Sequence, residues 1–233
     1  MVALPGLEVV GVEALVRWQH PERGLVPPVD FIGLAEETGL IIELGAWVIA
    51  EACRQGELWS RQLGGKPLEL ALNLSTRQLS QPDLAKQVGL LTAQHGLDPG
   101  SVALCLEITE SLLLEDPLVT SGVLGDLRAL GVRLAIDDFG TGYSSLAYLR
   151  RFPVDTLKID RSFVAGLGVD DDSRAIASAI VELAHALGLD VVAEGVEEEH
   201  QLAVLIELGC DRAQGFLIPR PQLAEYLLPL LVG

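Results

Sequence analysis

The stretch VRLAIDDFGTGYSSL (132–146) runs from an apolar segment straight into two adjacent aspartates, Asp137 and Asp138, and then into a glycine-rich turn. Side chains along a strand point alternately to its two faces, so both carboxylates can reach one site only if the strand stops there and the backbone turns. Phe139-Gly140-Thr141-Gly142 supplies a turn of that kind. Two carboxylates sharing a buried site force one to keep its proton unless cations lie between them. Taken alone, the pair favours a simpler reading, in which Asp138 caps the next helix.

The rest of the chain decides. Apolar, β-rich runs at 8–15, 68–75, 101–109, 132–138, 156–160, 189–195 and 212–216 alternate with helical periodicity at 30–37, 41–63, 81–96, 117–130, 144–151, 173–188, 197–208 and 221–231. This is the pattern of repeated β-α units around a parallel sheet. Gly131, Gly188 and Gly209 stand where helices give way to strands, as left-handed C-caps do. The strands read as nearly continuous apolar runs, so both faces are expected to be covered.

Seven strands fit either a doubly wound open sheet or a (β/α)8 barrel one strand short. Glu13, Asn73, Glu107, Asp137 with Asp138, Lys158, Glu194 and Gln214 fall in or at the C-terminal ends of seven successive strand candidates. An open sheet gathers its ligands at one switch point, whereas a barrel collects groups from every strand onto one face. The expectation is therefore an α/β chain forming a modified (β/α)8 TIM-type barrel as a single domain over 1–233.

Composition limits the partners. The chain has 33 acidic against 16 basic residues, a net charge of −17, and no visible cluster of basic groups. A nucleic-acid polymer or an anionic membrane surface would be repelled, while a small phosphorylated ligand could be neutralised by metal ions and one or two arginines. No apolar run is long enough for a membrane span, and the start lacks the pattern of a signal peptide, so a cytoplasmic chain is expected. Cys53, Cys105 and Cys210 have no ligand or disulfide spacing and read as small buried residues. Trp47 and Trp59 read as helix-face packing residues.

Four carboxylates of the strand-end set (Glu13, Glu107, Asp137, Asp138) and the Asn73 carbonyl make an all-oxygen group without His or Cys. Such a group suits Mg²⁺ or Mn²⁺ rather than zinc. Lys158 lies among these acids, so it should stay charged and orient a water or neutralise negative charge rather than act as a base. Arg17, four residues after Glu13, suits bidentate recognition of a phosphate at the rim.

The motifs EALVRW (13–18), NLS (73–75), EITES (107–111), DDFGTGYSSL (137–146), KIDRSFV (158–164), AEGVE (193–197) and QGF (214–216) together resemble those of the EAL-domain cyclic-di-GMP phosphodiesterases. The resemblance implies that Glu13, Asn73, Glu107, Asp137 and Asp138 bind two Mg²⁺ or Mn²⁺ ions. It further implies that Lys158 and Glu194 hold and polarise the attacking water, with Gln214 beside them. Arg17 would contact a ligand phosphate, and Glu110 would anchor the loop 139–146. The implied reaction is hydrolysis of cyclic di-GMP to linear pGpG. A homodimer, and fused or partner sensory or GGDEF domains, are compatible with the resemblance.

The family's usual first strand, with its Gln-Pro pair, has no counterpart before Glu13. Either the chain is a fragment of a longer one, or another segment or subunit fills the gap; if nothing fills it, a barrel with two open edges is expected. Two other readings stay open on the sequence. One is a non-catalytic cyclic-di-GMP receptor, which would typically have lost metal ligands. The other is an unrelated barrel metalloenzyme, which would want a base set apart from the metal.

Overall fold

A computed structural model describes residues 1–110, 117–141 and 149–232. The parallel strands are β2 (Gly11–Ala14), β5 (Leu68–Asn73), β6 (Val102–Thr109), β7 (Arg133–Phe139), β8 (Thr156–Ile159), β9 (Asp190–Ala193) and β10 (Arg212–Ala213). Each matches one of the seven strands expected from the sequence. Successive strands pair in chain order from β2 through β5 to β10, all in parallel.

The eighth place is not open. Val2–Ala3 forms β1, antiparallel to β10, with Val2 opposite Ala213 and Ala3 opposite Arg212. On its other side β1 meets the approach to β2 through a Val2–Val9 bridge and bonds from Ala3 N to Glu8 O and Val10 N to Met1 O. The ends of the sheet meet: a segment of the chain itself fills the gap, the alternative the sequence reading had left open, so two open edges do not arise. A two-residue strand followed by Pro5 and Gly6 leaves no alternation pattern for a sequence reading to find.

Helices α1 (Ile32–Thr38), α2 (Ile41–Gln62), α4 (Leu84–Gln94), α5 (Pro117–Ala129), α7 (Asp171–Ala186), α8 (Glu199–Glu207) and α9 (Ala224–Val232) follow the predicted helical stretches. The predicted helix 144–151 lies mostly outside the described residues. A short hairpin, β3 (Trp18–His20) with β4 (Gly24–Val26), and the single-turn helices α3 (Thr76–Leu79) and α6 (Arg161–Ala165) were not anticipated. Helix α7 begins two residues earlier than expected because the Asp170 carboxylate accepts from the backbone N–H groups of Asp172 and Ser173. Gly131 and Gly209 adopt positive φ, 83° and 77°, just after α5 and α8, as the sequence reading expects. Trp59 is buried as expected, whereas Trp47 is 58% exposed and does not pack into the core.

The strands bury their two faces differently. Leu68, Leu70, Leu72, Leu104, Leu106, Leu134, Ile136, Leu157 and Val191 belong to the large core between sheet and helices. The alternate residues point into the barrel. A small buried cluster of Met1, Ala71, Cys105, Ala135 and Val192 fills its middle. Near its N-terminal end, the buried Glu69 carboxylate receives Arg133 and Arg212, each at 2.9 Å, and Arg212 also reaches Asp190. Among the described residues no helix is long and apolar enough to cross a membrane.

This ion network closes the barrel end that carries no chemistry. Glu69→Ala strips the mostly buried Arg212 of one carboxylate and should cost about 3 kcal/mol, the usual loss when one member of a buried ion pair is removed. Urea unfolding should record a lower midpoint at unchanged m-value.

Candidate active site

The strand-end groups converge on the opposite end of the barrel, around Lys158. Its side chain is 2% exposed, and Nζ lies 2.6 Å from Glu194 Oε1, 2.7 Å from Glu107 Oε2 and 3.1 Å from Asp137 Oδ1. Burial by itself would lower the Lys158 pKa, but Glu107, Glu194, Glu13 and Asp137 outweigh it and hold the ammonium well above the ordinary lysine range. The residue is a fixed positive charge, as the sequence reading expects.

One ammonium does not satisfy this many carboxylates. Burial pushes the Glu107 carboxyl up to about 8, against the pull of Lys158 and with added repulsion from Glu13 and Asp137. Burial likewise raises Glu194 to about 7, again against Lys158. Asp138 is raised by burial and by the Asp137 and Asp160 carboxylates. The site calls for more positive charge than the protein supplies.

The aspartate pair reaches the site by a device that the sequence reading did not identify. The strand does not stop at Asp137; it continues through Phe139, with a β-bulge between Ile136 and Phe139. Asp138 has φ 54°, in the left-handed region that aspartate tolerates better than most side chains. The bulge and this conformation, rather than the glycines alone, turn both carboxylates to one side. Oxygens of Asp137, Asp138 and Glu194 lie within 4.8 Å of one another, close enough to share a cation. Gly140 follows, its N–H donating to Glu110 Oε2 at 2.9 Å, so Glu110 ties down the start of the loop after the aspartates. Residues 142–148 of that loop lie outside the described residues.

Glu13 is gripped from both sides. Asn73 Nδ2 donates to Glu13 Oε1 at 2.8 Å, and Gln214 Nε2 donates to Glu13 Oε2. Gln214, which the resemblance sets near the water and Glu194, thus donates its side-chain hydrogen bond to Glu13. Arg17 is exposed, its Nη1 donating to the Val16 carbonyl, and it is not drawn into the carboxylate group. Asp160 is a neighbour that the sequence reading missed. Its carboxylate caps α6 through Ser162 N and also meets Asp138. The signal was present in KIDRS, an aspartate two residues beyond Lys158 and two before a serine, but it read as part of the motif without a role.

The arrangement fits divalent cations. Glu107 Oε2 is buried and, despite its 2.7 Å approach to Lys158, aligned for a hydrogen bond with no group among the described residues. The donors are all hard oxygens, the set that Mg²⁺ and Mn²⁺ take. Among the described residues, Asp137, Asp138 and Glu194 bring their oxygens close enough to share one ion, with Glu107 and Glu13 beside them.

A family model described as the EAL domain matches residues 1–221. The chain is 48% identical over 227 residues to the bifunctional diguanylate cyclase/cyclic di-GMP phosphodiesterase MucR of Pseudomonas aeruginosa, covering 97% of this chain and 33% of that protein. It is 47% identical over 225 residues to the cyclic di-GMP phosphodiesterase NbdA of the same organism, covering 95% of this chain and 28% of that one. The chain thus spans a third or less of the length of these relatives. Among solved structures, the PaMucR phosphodiesterase in complex with c-di-GMP superposes with a TM-score of 0.91 at 48% identity, over 97% of this chain and 90% of that one. The EAL domain of Mycobacterium smegmatis DcpA superposes with a TM-score of 0.78 at 39% identity, over 96% and 89%.

The geometry around Lys158 yields a stability test. Lys158→Met leaves Glu107, Asp137 and Glu194 without their shared cation and should destabilise the metal-free protein by about 3 kcal/mol or more. Because Lys158 and a divalent cation draw on the same carboxylates, Mn²⁺ should recover part of this loss. Thermal denaturation of both proteins with EDTA and with Mn²⁺ reads the two effects.

Proposed function

Because the chain belongs to the EAL-domain family, we propose that it hydrolyses one phosphodiester of cyclic di-GMP, giving linear pGpG, with two Mg²⁺ or Mn²⁺ ions at the strand-end carboxylates. The observation that carries this reading is the complete oxygen set of Glu13, Asn73, Glu107, Asp137 and Asp138 gathered at one barrel end around a buried lysine. The names of MucR and NbdA support the substrate.

Divalent cations, when bound, would make a water more acidic and neutralise charge on the phosphate. The chain's own residues do the rest. Glu194 and Lys158, 2.6 Å apart, hold the water from opposite charges, the carboxylate accepting its proton and the ammonium fixing its orientation. The water oxygen bonds to phosphorus, the bond from phosphorus to the 3′ oxygen breaks, and that oxygen leaves as a hydroxyl by taking a proton from bulk water, to which Glu194 gives up the one it accepted. Asn73 and Gln214 keep both Glu13 oxygens aimed. Arg17, exposed at the rim, is free to swing onto a phosphate. Glu110 steadies the segment that leaves Asp138. The same reading makes residues 1–233 one catalytic unit of the cytoplasm, working alone, as a homodimer, or beside fused or partner sensory and GGDEF domains.

Purified chain with Mg²⁺ or Mn²⁺ should convert cyclic di-GMP to pGpG, followed by chromatography, and EDTA should stop it. Glu13→Ala should abolish turnover. Glu194→Gln should lower kcat by about 10²-fold or more, with KM little changed. Ligand that is bound in the presence of metal yet stays intact over hours would identify a receptor instead.

A further inference from the structure

Directly before the strand-end groups, the barrel interior is lined by small residues. Gly11 stands two residues before Glu13, Ala71 before Asn73, Cys105 before Glu107 and Ala135 before Asp137. The space they leave is taken by Met1, which is 8% exposed and forms one buried cluster with Ala71, Cys105, Ala135 and Val192. Gly11 belongs to this fit. A Cβ at position 11 would lie 2.7 Å from the Met1 Cε and 3.2 Å from both Cβ and the carbonyl of Glu69. The thioether therefore occupies the place of the side chain that position 11 lacks.

Met1 also sits at the seam between the two strands whose residues grip each other above it. Its backbone N donates to Gly11 O at 2.8 Å, and Gly11 N approaches Met1 O at 3.4 Å. On the other side, β1 pairs with β10, with Val2 opposite Ala213, so Met1 stands at the level of Gln214. The Gln214–Glu13 hydrogen bond thus spans β1. The backbone of Gln214 is held from the other side as well, its carbonyl accepting from Val196 N. Its backbone N–H donates to Ala193 O, while its side-chain Oε1 is buried with no hydrogen-bond partner among the described residues.

We propose that Met1, packed against Gly11, is a positioning residue for Glu13 and Gln214: by filling the barrel beneath them it sets the separation of β2 and β10 and so tunes the affinity of the site for divalent cations. The inference rests on the reading of Glu13 as a metal ligand. A close-packed interior passes on a shift of a single methyl, and altered supports of ligating residues commonly change metal affinity by about 10–100-fold.

The test is calorimetric titration of Mn²⁺ into the whole chain, with circular dichroism and thermal denaturation on the same samples. Parent and variants all carry a start methionine one residue upstream, so that position 1 can be changed. Gly11→Val should weaken Mn²⁺ binding by about tenfold or more. Met1→Ala alone should weaken it severalfold, and Gly11→Val with Met1→Ala should regain most of the parent affinity, because the smaller residue makes room for the larger. Mn²⁺ affinities within twofold of the parent in both single variants, with only the melting temperature lowered, would overturn the proposal and leave a packing role. If Gly11→Val does not fold, Gly11→Ala decides on the same readout, unchanged affinity again overturning it. A parent chain that binds no Mn²⁺ would instead remove the functional reading on which the inference stands.

Discussion

Everything at the working end of this barrel depends on the burial of one ammonium among carboxylates. Lys158 contacts Glu107, Asp137 and Glu194 from the middle of the site. Withdrawing any one of these charges from water is costly, and each is tolerable only because the others are present. The balance is still short of positive charge, which is why burial leaves Glu107 near 8 and Glu194 near 7. A site in this condition is built to receive cations, and the same excess of carboxylate makes Lys158 unsuitable as a base.

The barrel supplies the geometry. Every parallel strand delivers its last inward residue to the same end, so groups distant in sequence, from Glu13 to Gln214, become neighbours without long side chains reaching across. The opposite end is closed by Glu69, Arg133, Arg212 and Asp190, and the middle by Met1 and small residues. Chemistry and stability thus occupy different levels of the same strands. The seam between β10 and β2 is where they meet, because a two-residue strand there underlies the Glu13–Gln214 bond.

Much of this was legible in the sequence, for reasons that can be named. Polar residues ending apolar strands are costly unless they share a site, so Glu13, Asn73, Glu107 and Lys158 pointed to a barrel face before any contact was known. Strand β1 was not legible, since Val2 and Ala3 are too few to set a period and their role comes from pairing on both sides. The left-handed Asp138 was missed for a different reason. Alternation along a strand argues that adjacent side chains diverge, and nothing in the letters DD announces the bulge that overrides it. The hydrogen bond from Gln214 to Glu13 was not legible either, because the order of motifs along the chain does not say which carboxylate an amide will meet.

The central claim is that the carboxylates around Lys158 hold divalent cations. Crystals grown with Mn²⁺ test it directly through the anomalous scattering of manganese. The account predicts strong anomalous peaks among the oxygens of Glu13, Asn73, Glu107, Asp137 and Asp138, with Lys158 still in place beside them. A well-ordered site with no such peak, its carboxylates paired only with Lys158 and protons, would contradict it.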